Sequence, residues 1–445
     1  MPYQPLQDPP ALPETAFTFD APPPPPTPAF AGEAKVDVAV IGGGITGVSA
    51  ALHTAQTGAR VALLEANAIG WGASGRNFGQ MTPYLRRDPE VALRLLGAEA
   101  GERLIAAAAG APTLIMELIR RHGIECNASQ TGLLYAAHTP AALDRIAKRA
   151  AWWAARGAPV SVLDRDGIAK AIGGGCYWGG VIERRGGTLN PLAYCRGLAR
   201  AAIEAGAAVH GDSRVLGLER APGGWRLTTA AGSLTADTVM LCTDSYSGDL
   251  WPGLRRALVF LRGYQLVSRP LPAEPLKTIL PGGQAMTDTH RLMSGVRKLP
   301  GNRLQVSASV SLPGPERATG TRDADRRLAA LFPHLGPVEW ERSWSGWIAM
   351  TADEFPRLQE PAPGLLIGYG YSGRGLALST VMGRELARRA TGTPLAELAF
   401  PGGSVRPIPM ASLAPYGAAA LLVLYRLQDR IEDAIYLRGA GTPRA

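Results

Sequence analysis

Continuous apolar runs that end in glycine organise the chain. Residues 36–41 are apolar except for Asp37 and rich in β-branched side chains, as strands are when a parallel sheet buries both of their faces. Apolar residues then recur at helical spacing over residues 45–57, and residues 60–65 form a second apolar run. The pattern therefore predicts a strand, a helix and a second parallel strand, which together make a βαβ unit.

The same patterns return in the middle of the chain and near its end. A helical pattern over residues 191–205 leads to a strand near residue 209, and a hairpin pattern over residues 225–242 ends in another apolar strand. Residues 258–312 are rich in short alternating strands, and residues 364–392 repeat the order strand, glycine turn, helix. Because elements of one sheet occur early, in the middle and late, we predict two interleaved domains.

The predicted fold class is α/β (α+β), in which a Rossmann-like domain with a mixed or parallel sheet is interleaved with an antiparallel β-sheet domain. A Pro-rich tail is predicted to be disordered, and a C-terminal extension is predicted to carry a surface helix. The expected boundaries are residues 35–85, 185–250 and 343–400 for the first domain, 86–184 and 251–342 for the second, 1–34 for the tail and 401–445 for the extension.

The glycines after the first predicted strand have the spacing of a dinucleotide-binding turn. Gly42 permits a tight turn, Gly44 lets a pyrophosphate approach the backbone, and Gly47 lets helix and strand pack closely. Glu65 ends the second strand, where a carboxylate accepts hydrogen bonds from a ribose hydroxyl. The set predicts a bound dinucleotide without separating NAD from FAD. The predicted contacts also include Ile45, Thr46 and Ala66.

Composition narrows the class of partner. The 445 residues carry a formal charge of +9, but the 46 basic residues are spread along the chain, so no nucleic-acid partner is predicted. The six histidines form no metal-binding motif, so no metal site is predicted. The four cysteines are far apart, which favours a reducing, cytoplasmic compartment; they are Cys126, Cys176, Cys195 and Cys242.

The two ends of the chain differ from the rest. Residues 2–32 contain APPPPPTP, which lacks backbone donors and favours an extended polyproline helix, and they show no secretory signal. Residues 417–439 contain an apolar run too short to cross a bilayer, followed by an amphipathic half. We predict a helix packed on the domain surface and no integral membrane segment, with a peripheral membrane contact as the alternative.

Three later motifs extend the glycine turn into a family pattern. GWGASGRNFGQM begins at Gly70, WSGWIAMTADEFPRL at Trp344 and LLIGYGYSGRGLALST at Leu365. Together with the βαβ unit, they resemble the FAD-dependent D-amino-acid oxidase type superfamily over residues 35–400. The GASGRNxGQ form is similar to its γ-glutamylputrescine oxidase-like and glycine-sarcosine oxidase-like branch. The resemblance implies a D-amino-acid oxidase/glutathione-reductase-2-like fold with FAD as the cofactor.

The resemblance also implies roles for individual residues. The second glycine-rich segment would pass beneath the ribityl chain, and a backbone position after the middle helix would meet the adenine. The glycines before the last helix would place backbone N–H groups and a positive helix end beside the flavin. The implied cofactor residues beyond the first turn are Gly72, Ala73, Ser74, Arg76, Asn77, Phe78, Gly79, Gln80, Val215, Cys242, Thr243, Gly370, Ser372, Gly373, Arg374, Gly375 and Leu376.

The implied chemistry is oxidation of a C–N bond in a small amine or amino acid. A hydride would pass to flavin N5, water would hydrolyse the imine, and O2 would take the electrons to give H2O2. No cysteine lies beyond Cys242 and no histidine lies near the glycine segments, so the flavin is predicted to be noncovalent. The substrate-site candidates, given as the catalytic set, are Tyr264, Trp347, Tyr371 and Arg374.

Several alternatives stay open at the level of sequence. Tyr264 and Trp347 could be core residues, and Arg374 could pair with Asp353 instead of a substrate. The enzyme could be a dehydrogenase that passes electrons to a quinone or a protein, or it could use NAD(P). A non-catalytic FAD-binding scaffold is an alternative of another class. The sequence indicates neither the amine nor the oligomeric state.

Overall fold

The computed structural model describes residues 15, 17–175, 177–308, 316–411 and 413–437. Two compact units share the chain, and each is built from separate segments. The first comprises Met1–Ala128, Leu189–Leu261 and Gly346–Pro415, and the second comprises Ser129–Thr188, Arg262–Ser345 and Tyr416–Ala445. The interleaved α/β architecture predicted from the sequence is therefore confirmed. The residues of these predictions that lie outside the described part are 1–14, 16, Cys176, 309–315, 412 and 438–445.

Helices and strands alternate along the described chain. The helices are α1 Phe17–Asp20, α2 Ile45–Ala55, α3 Pro89–Leu96, α4 Ala98–Arg121, α5 Pro140–Ala154, α6 Arg165–Ile172, α7 Pro191–Glu204, α8 Ala273–Thr278, α9 Glu316–Leu331, α10 Gly375–Ala390 and α11 Ala414–Glu432. The strands are β1 Gly32–Ile41, β2 Val61–Leu64, β3 Gln80–Met81, β4 Leu133–Ala137, β5 Val160–Leu163, β6 Gly179–Glu183, β7 Gly187–Thr188, β8 Ala208–His210, β9 Gly217–Ala221, β10 Gly224–Thr228, β11 Gly232–Leu241, β12 Val259–Ser268, β13 Ala285–Asp288, β14 Gly295–Leu299, β15 Arg303–Ala308, β16 Trp340–Met350, β17 Arg357–Ala362 and β18 Leu365–Tyr369.

The sheet of the first unit joins strands from all three of its segments. Its order is β17-β18-β11-β1-β2-β8, and β10 and β9 continue from β11 as a meander. The strands from β18 to β8 are parallel, whereas β17 and β10 pair antiparallel with their neighbours. Because the central strands are buried on both faces, they are nearly continuous apolar runs in the sequence.

Two helices follow glycine turns and cross at close range. A side chain at Gly383 of α10 would lie 2.6 Å from the carbonyl oxygen of Thr46 in α2, so the absent Cβ lets the two helices touch. α4 also packs against α10, which makes residues 86–128 part of the first unit. The boundary therefore lies at residue 128, whereas the sequence predicted it at residue 85. Gly97, with φ of 80°, separates α3 from α4.

The proline-rich segment before β1 packs on the first unit. Phe17 and Phe30 are buried, and the Phe30 N–H donates to Ser213 Oγ at 2.8 Å. The carbonyl oxygen of Pro22 accepts a hydrogen bond from Arg196 at 3.0 Å. Residues 17–31 thus differ from the predicted disordered tail, because proline lacks a donor but keeps its acceptor, and side chains of the unit supply the donors.

The sheet of the second unit has the order β16-β12-β15-β14-β13-β4-β6-β5. It is antiparallel as predicted, except that β13 and β4 pair in parallel. α6, α8 and α9 help to enclose a core that includes Leu266, Val306 and Phe332. This core fills one side of the sheet, so the sheet has the hydrophobic backing that an isolated set of short strands lacks.

The C-terminal helix is held to the second unit through polar groups. Asp429 accepts hydrogen bonds from the backbone N–H of Leu292 at 3.0 Å and from Arg291 at 3.2 Å. Glu432 contacts Arg291 at 2.7 Å and His138 at 2.9 Å. His138, Asp429 and Glu432 are close enough to hold a cation, but the Arg291 guanidinium already neutralises both carboxylates. No described helix is long and apolar enough to cross a membrane.

Candidate active site

Three parallel strands of the first unit end side by side. Ile41 of β1 is paired with Leu241 of β11, which is paired with Ile367 of β18. The residues that follow these strands therefore come together at one edge of the sheet. In open α/β sheets this carboxyl edge is where ligands bind. The structure thus gathers the first glycine turn, the segment 242–244 and the last glycine turn.

The first turn has no room for side chains. Gly42 has φ of 109°, and a Cβ on it would lie 2.9 Å from the carbonyl oxygen of Cys242. A Cβ on Gly47 would overlap the carbonyl oxygen of Gly42. At Gly44 the nearest atom to an added Cβ would be Ser74 Oγ, at 2.9 Å. These three glycines therefore keep the backbone of the turn bare and close to the strand end, as the sequence spacing predicts.

The helix that leaves this turn begins at a residue without a side chain. Gly44 is the N-cap of α2, so the N-cap residue itself offers no side-chain acceptor to the first turn. The first N–H of the helix, at Ile45, donates to Ser74 Oγ at 2.9 Å, so the second glycine segment contacts the helix start directly. An uncapped helix start carries partial positive charge and suits an anionic ligand such as a phosphate.

A buried carboxylate stands beside the same turn. Glu65 Oε2 accepts from the N–H of Gly43 at 2.6 Å, and Oε1 accepts from the N–H of Asn67 at 2.9 Å. Burial raises the pKa of Glu65, while the two amide hydrogen bonds act in the opposite direction. A carboxylate offers about four acceptor positions, of which the backbone uses two here. Glu65 is therefore fixed in place with acceptor capacity left for hydroxyl groups, and Ala66 follows it.

The second glycine segment is braced by one of its own side chains. Asn77 donates to the carbonyl oxygens of Ala73 at 3.2 Å and Ser74 at 2.9 Å, and it accepts from the N–H of Gly79 at 2.8 Å. A side chain at Gly72 would press against the ring of Tyr246 at 3.1 Å. These contacts fix the segment that contains Phe78 and ends at Gln80, the start of β3.

Arg76 is nearly buried in this segment. Its guanidinium stacks on the ring of Trp71 at 4.6 Å and donates to the hydroxyl of Tyr246 at 2.8 Å. Gly346 of β16 passes so close that an added Cβ would lie 3.1 Å from the Cβ of Arg76. The structure places Arg76 among aromatic rings, where it fixes the segment.

The last glycine turn is tied to the other two strand ends. Asp244, which follows β11, accepts a hydrogen bond from the N–H of Gly370 at 2.7 Å. Tyr371 shares a hydrogen bond of 2.6 Å with the hydroxyl of Thr46, in the first turn of α2. Gly370 and Ser372 both have positive φ, at 81° and 52°, so the backbone bends sharply here. The starts of α2 and α10 are thus linked by side chains.

The second helix start is also uncapped. Arg374 is the N-cap of α10 without a side-chain cap, and its N–H donates to the carbonyl oxygen of Tyr371 at 3.0 Å. Gly375 and Leu376 form the first turn. Asp353, the alternative partner of Arg374, forms an ion pair with Arg357. An ion pair joins Arg86 to Glu354, and Arg86 lies 3.9 Å from the position of a Cβ on Gly373.

The remaining predicted residues lie in different surroundings. Val215 is buried in the core of the first unit, and Thr243 shares a hydrogen bond with Ser247 at 2.7 Å. Trp347 is buried in the first unit. Tyr264 lies in the core of the second unit, where Gly320 packs on its ring. The surroundings of Tyr264 match the core alternative.

Asp244 is the residue of this edge that the sequence prediction omitted. It is partly buried, and burial raises its pKa, while the hydrogen bond from Gly370 opposes that rise. Its φ of 38° is rare for a residue other than glycine. The signal available was an acidic residue three positions after a buried parallel strand, because the residues just beyond such a strand lie at the carboxyl edge of the sheet.

A dinucleotide fits the described residues of this edge. The helix starts at Gly44 and Arg374 carry the partial positive charge that suits phosphates. Glu65 has the acceptor chemistry that ribose hydroxyls require, and the bare glycine backbone leaves room for a large group at the sheet edge. Each requirement is met by groups whose positions other contacts already fix.

Comparison with known proteins agrees with this geometry. A probable oxidoreductase, OrdL, of Rhizobium meliloti is 30% identical over 388 residues, covering 85% of this chain and 90% of that protein. The gamma-glutamylputrescine oxidoreductase of Escherichia coli is 28% identical over 411 residues, covering 89% and 93%. The crystal structure of glycine oxidase from Geobacillus kaustophilus has the same fold, with a TM-score of 0.68 at 24% identity over 80% of this chain and 95% of that one.

The family of FAD dependent oxidoreductases matches residues 37–389, which include every element of the carboxyl edge described above. This chain belongs to that family and is an FAD-dependent oxidoreductase.

Proposed function

We propose that the enzyme oxidises a carbon–nitrogen bond of a small amine or amino acid and delivers the electrons to O2. The substrate carbon loses a hydride, the resulting imine takes up water, and the products are a carbonyl compound, an amine or ammonia, and H2O2. The observation that carries the proposal is the Thr46–Tyr371 hydrogen bond, because it joins the two uncapped helix starts into one cradle. The names of relatives, gamma-glutamylputrescine oxidoreductase and glycine oxidase, support the substrate class.

FAD, when bound, supplies the acceptor for the hydride. The residues proposed to hold it are those of the three glycine segments, with Glu65 at the ribose and the backbone near Val215 at the adenine. The positive end of α10 would lower the free energy of negative charge that develops beside it, since its first N–H groups are fixed before reaction. Because Asp244 already accepts the Gly370 N–H, the donors proposed for that charge would be those of the first turn of α10.

The cofactor is proposed to be noncovalent. Burial raises the thiol pKa of Cys126 to about 12 and raises the pKa of Cys195 and Cys242 as well. A thiol that stays protonated at neutral pH is a poor nucleophile, so these three cysteines are unsuited to bonding a flavin. Unfolding in acid would then release all of the flavin, which absorption of the supernatant after precipitation of the protein measures.

Arg374 is proposed to clamp a substrate carboxylate. It stands at the N-cap of α10, directly after the last glycine turn. Replacing Arg374 with Gln should raise KM for an amino-acid substrate roughly tenfold to a hundredfold, the loss expected for a charge-assisted hydrogen bond. An amine that lacks a carboxylate is the internal control, since its KM should stay within about twofold of wild type. An equal rise in KM for both substrates would contradict the proposed role of Arg374.

Electron delivery to a quinone or protein acceptor is the second candidate, and a non-catalytic scaffold is the third. The test is to add amines and amino acids anaerobically, follow bleaching of the flavin band, and then admit air. Fast recovery of colour with stoichiometric H2O2 supports an oxidase, and recovery only after addition of a soluble quinone supports a dehydrogenase. Absence of bleaching with every amine would overturn the proposed chemistry.

A further inference from the structure

Near its C-terminal end, the last helix presents acidic side chains to the protein and large apolar side chains outward. Its acidic residues point inward, where Asp429 and Glu432 meet Arg291. Asp433, directly after the helix, contacts His290 at 2.7 Å. Surface helices of globular proteins ordinarily have the opposite arrangement, with the apolar stripe facing the core. The inverted orientation indicates that something other than the second unit receives the apolar side.

The outward side carries large apolar residues along the described part of the helix and the turn that follows. Seven large side chains on it are between 44% and 65% exposed: Tyr416, Leu421, Val423, Leu424, Leu427, Ile431 and Ile435. At about 100° per residue, these positions cover roughly half of the helix circumference. We call this set the outward face. The apolar stripe that packs in a two-stranded coiled coil is narrower than this face. A single partner helix would therefore leave the edges of the outward face exposed to water.

The charges around the outward face favour an anionic partner. The carboxylates of Asp429 and Glu432 are turned inward and neutralised, and Arg430 is an exposed charged residue at the edge of the face. A helix with a wide apolar side and adjoining positive charge binds at the interface of an anionic bilayer. Since no described helix can cross a membrane, the helix would lie in the membrane plane.

We propose that α11 docks the enzyme on an anionic lipid surface through the outward face. The polar latch formed by Arg291, His138 and His290 holds the helix in the orientation that lipid binding requires. The proposal is independent of the substrate and of the electron acceptor, because it rests only on the placement of α11.

The test is co-sedimentation of the holoenzyme with vesicles of phosphatidylcholine alone and of phosphatidylcholine mixed with phosphatidylglycerol. Wild type should bind the mixed vesicles and lose affinity as salt rises. Leu427→Ser combined with Ile431→Ser should weaken binding roughly tenfold or more, because two half-exposed apolar side chains leave the lipid contact.

A matched control separates the outward face from general hydrophobicity. Leu95 and Val162 are 55% and 51% exposed, against 55% and 50% for Leu427 and Ile431. Leu95→Ser combined with Val162→Ser should bind vesicles within about twofold of wild type. Failure of wild type to bind vesicles, or equal losses of binding in both variants, would overturn the proposal.

Light scattering tests whether a second copy of the chain covers the outward face instead. A doubled mass that the Leu427/Ile431 variant abolishes, together with no vesicle binding by wild type, would assign the face to a second copy. Flavin content checks that each variant is folded.

Discussion

Gly47 shows how one missing side chain shapes the cofactor site. A Cβ there would overlap the carbonyl oxygen of Gly42, which belongs to the turn at the end of β1. The overlap is with backbone, so neither a rotamer change nor a flexible side chain can relieve it. Any larger residue must move α2 away from the strand, and the uncapped helix start moves with it.

We predict that Gly47→Ala lowers the flavin content of the purified protein at least roughly tenfold, because displacement of α2 removes the phosphate donors. The ratio of flavin to protein absorbance measures it. Gly110→Ala is the control, since Gly110 lies in α4 with no atom within 4 Å of an added Cβ. That variant should keep its flavin and gain about 0.5–1 kcal/mol in free energy of unfolding. A Gly47 variant with full flavin content would contradict the prediction.

At the scale of the element, the proline-rich segment acts as a packed strap on the first unit. Phe30 is buried against the edge of His210, with ring centroids 5.3 Å apart, and joins the core of that unit. His210 also contacts the carbonyl oxygen of Pro28 at 2.9 Å. The strap therefore carries core side chains, and a deletion through residue 31 would remove part of the hydrophobic core.

Phe30→Ala is expected to lower the free energy of unfolding by about 3–5 kcal/mol, the usual cost of emptying a buried aromatic site. Denaturant unfolding followed by fluorescence measures the change. Ala29→Ser, at an exposed neighbouring position, should change it by less than about 0.5 kcal/mol. If both variants were as stable as wild type, the strap would contribute no core packing.

The latch of α11 contains a histidine that is charged at neutral pH. Burial of His290 disfavours its charge, but Asp288 at 3.1 Å and Asp433 outweigh that effect and raise its pKa to about 9. Arg327 and the stacked ring of His138 also face it and oppose the charge. The pKa of His290 in the folded protein exceeds the unfolded value of about 6.5. The charged His290 therefore stabilises the folded state fully below pH 6.5, and this contribution is lost as the pH rises through 9.

The His290→Gln variant should therefore be less stable than wild type at pH 6. This difference in free energy of unfolding should shrink by roughly 2–3 kcal/mol as the pH rises from 6 to 10. Denaturant unfolding of both proteins at several pH values measures the gap. A gap that stays constant with pH would mean that His290 is neutral in the folded protein.

Local spacing allowed much of the fold to be predicted, because it needs only neighbouring residues. The glycines from Gly42 to Gly47 and the buried strand before them indicate the turn without any tertiary contact. The bond between Thr46 and Tyr371 joins residues more than 300 positions apart, so no local pattern reveals it. The strap was predicted to be disordered from its composition alone. Composition cannot show that side chains of the first unit, such as Arg196, donate hydrogen bonds to its carbonyl groups. The assignments of individual residues to the flavin remain predictions.

At the scale of the whole molecule, bound FAD should contribute to stability. A ligand that binds the folded state alone stabilises it by about 1.4 kcal/mol for each tenfold rise in free ligand above Kd. Removing FAD should therefore lower Tm, and adding it back in steps should restore Tm progressively. NAD is the matched control, because it shares the adenine, ribose and pyrophosphate but lacks the flavin. Stabilisation by NAD alone would revive the NAD(P)-dependent alternative.

The order of strands along the chain also affects synthesis on the ribosome. β1 pairs with β2 soon after both emerge from the ribosome. Its other neighbour, β11, is synthesised about 200 residues later, since Gly32 of β1 pairs with Gly232 of β11. At about 5–20 residues per second, the nascent strand keeps one edge unpaired for roughly 10–40 s. An apolar strand edge that waits this long is a template for aggregation. Yield of native protein should thus depend on chaperone supply and synthesis rate more than on final stability.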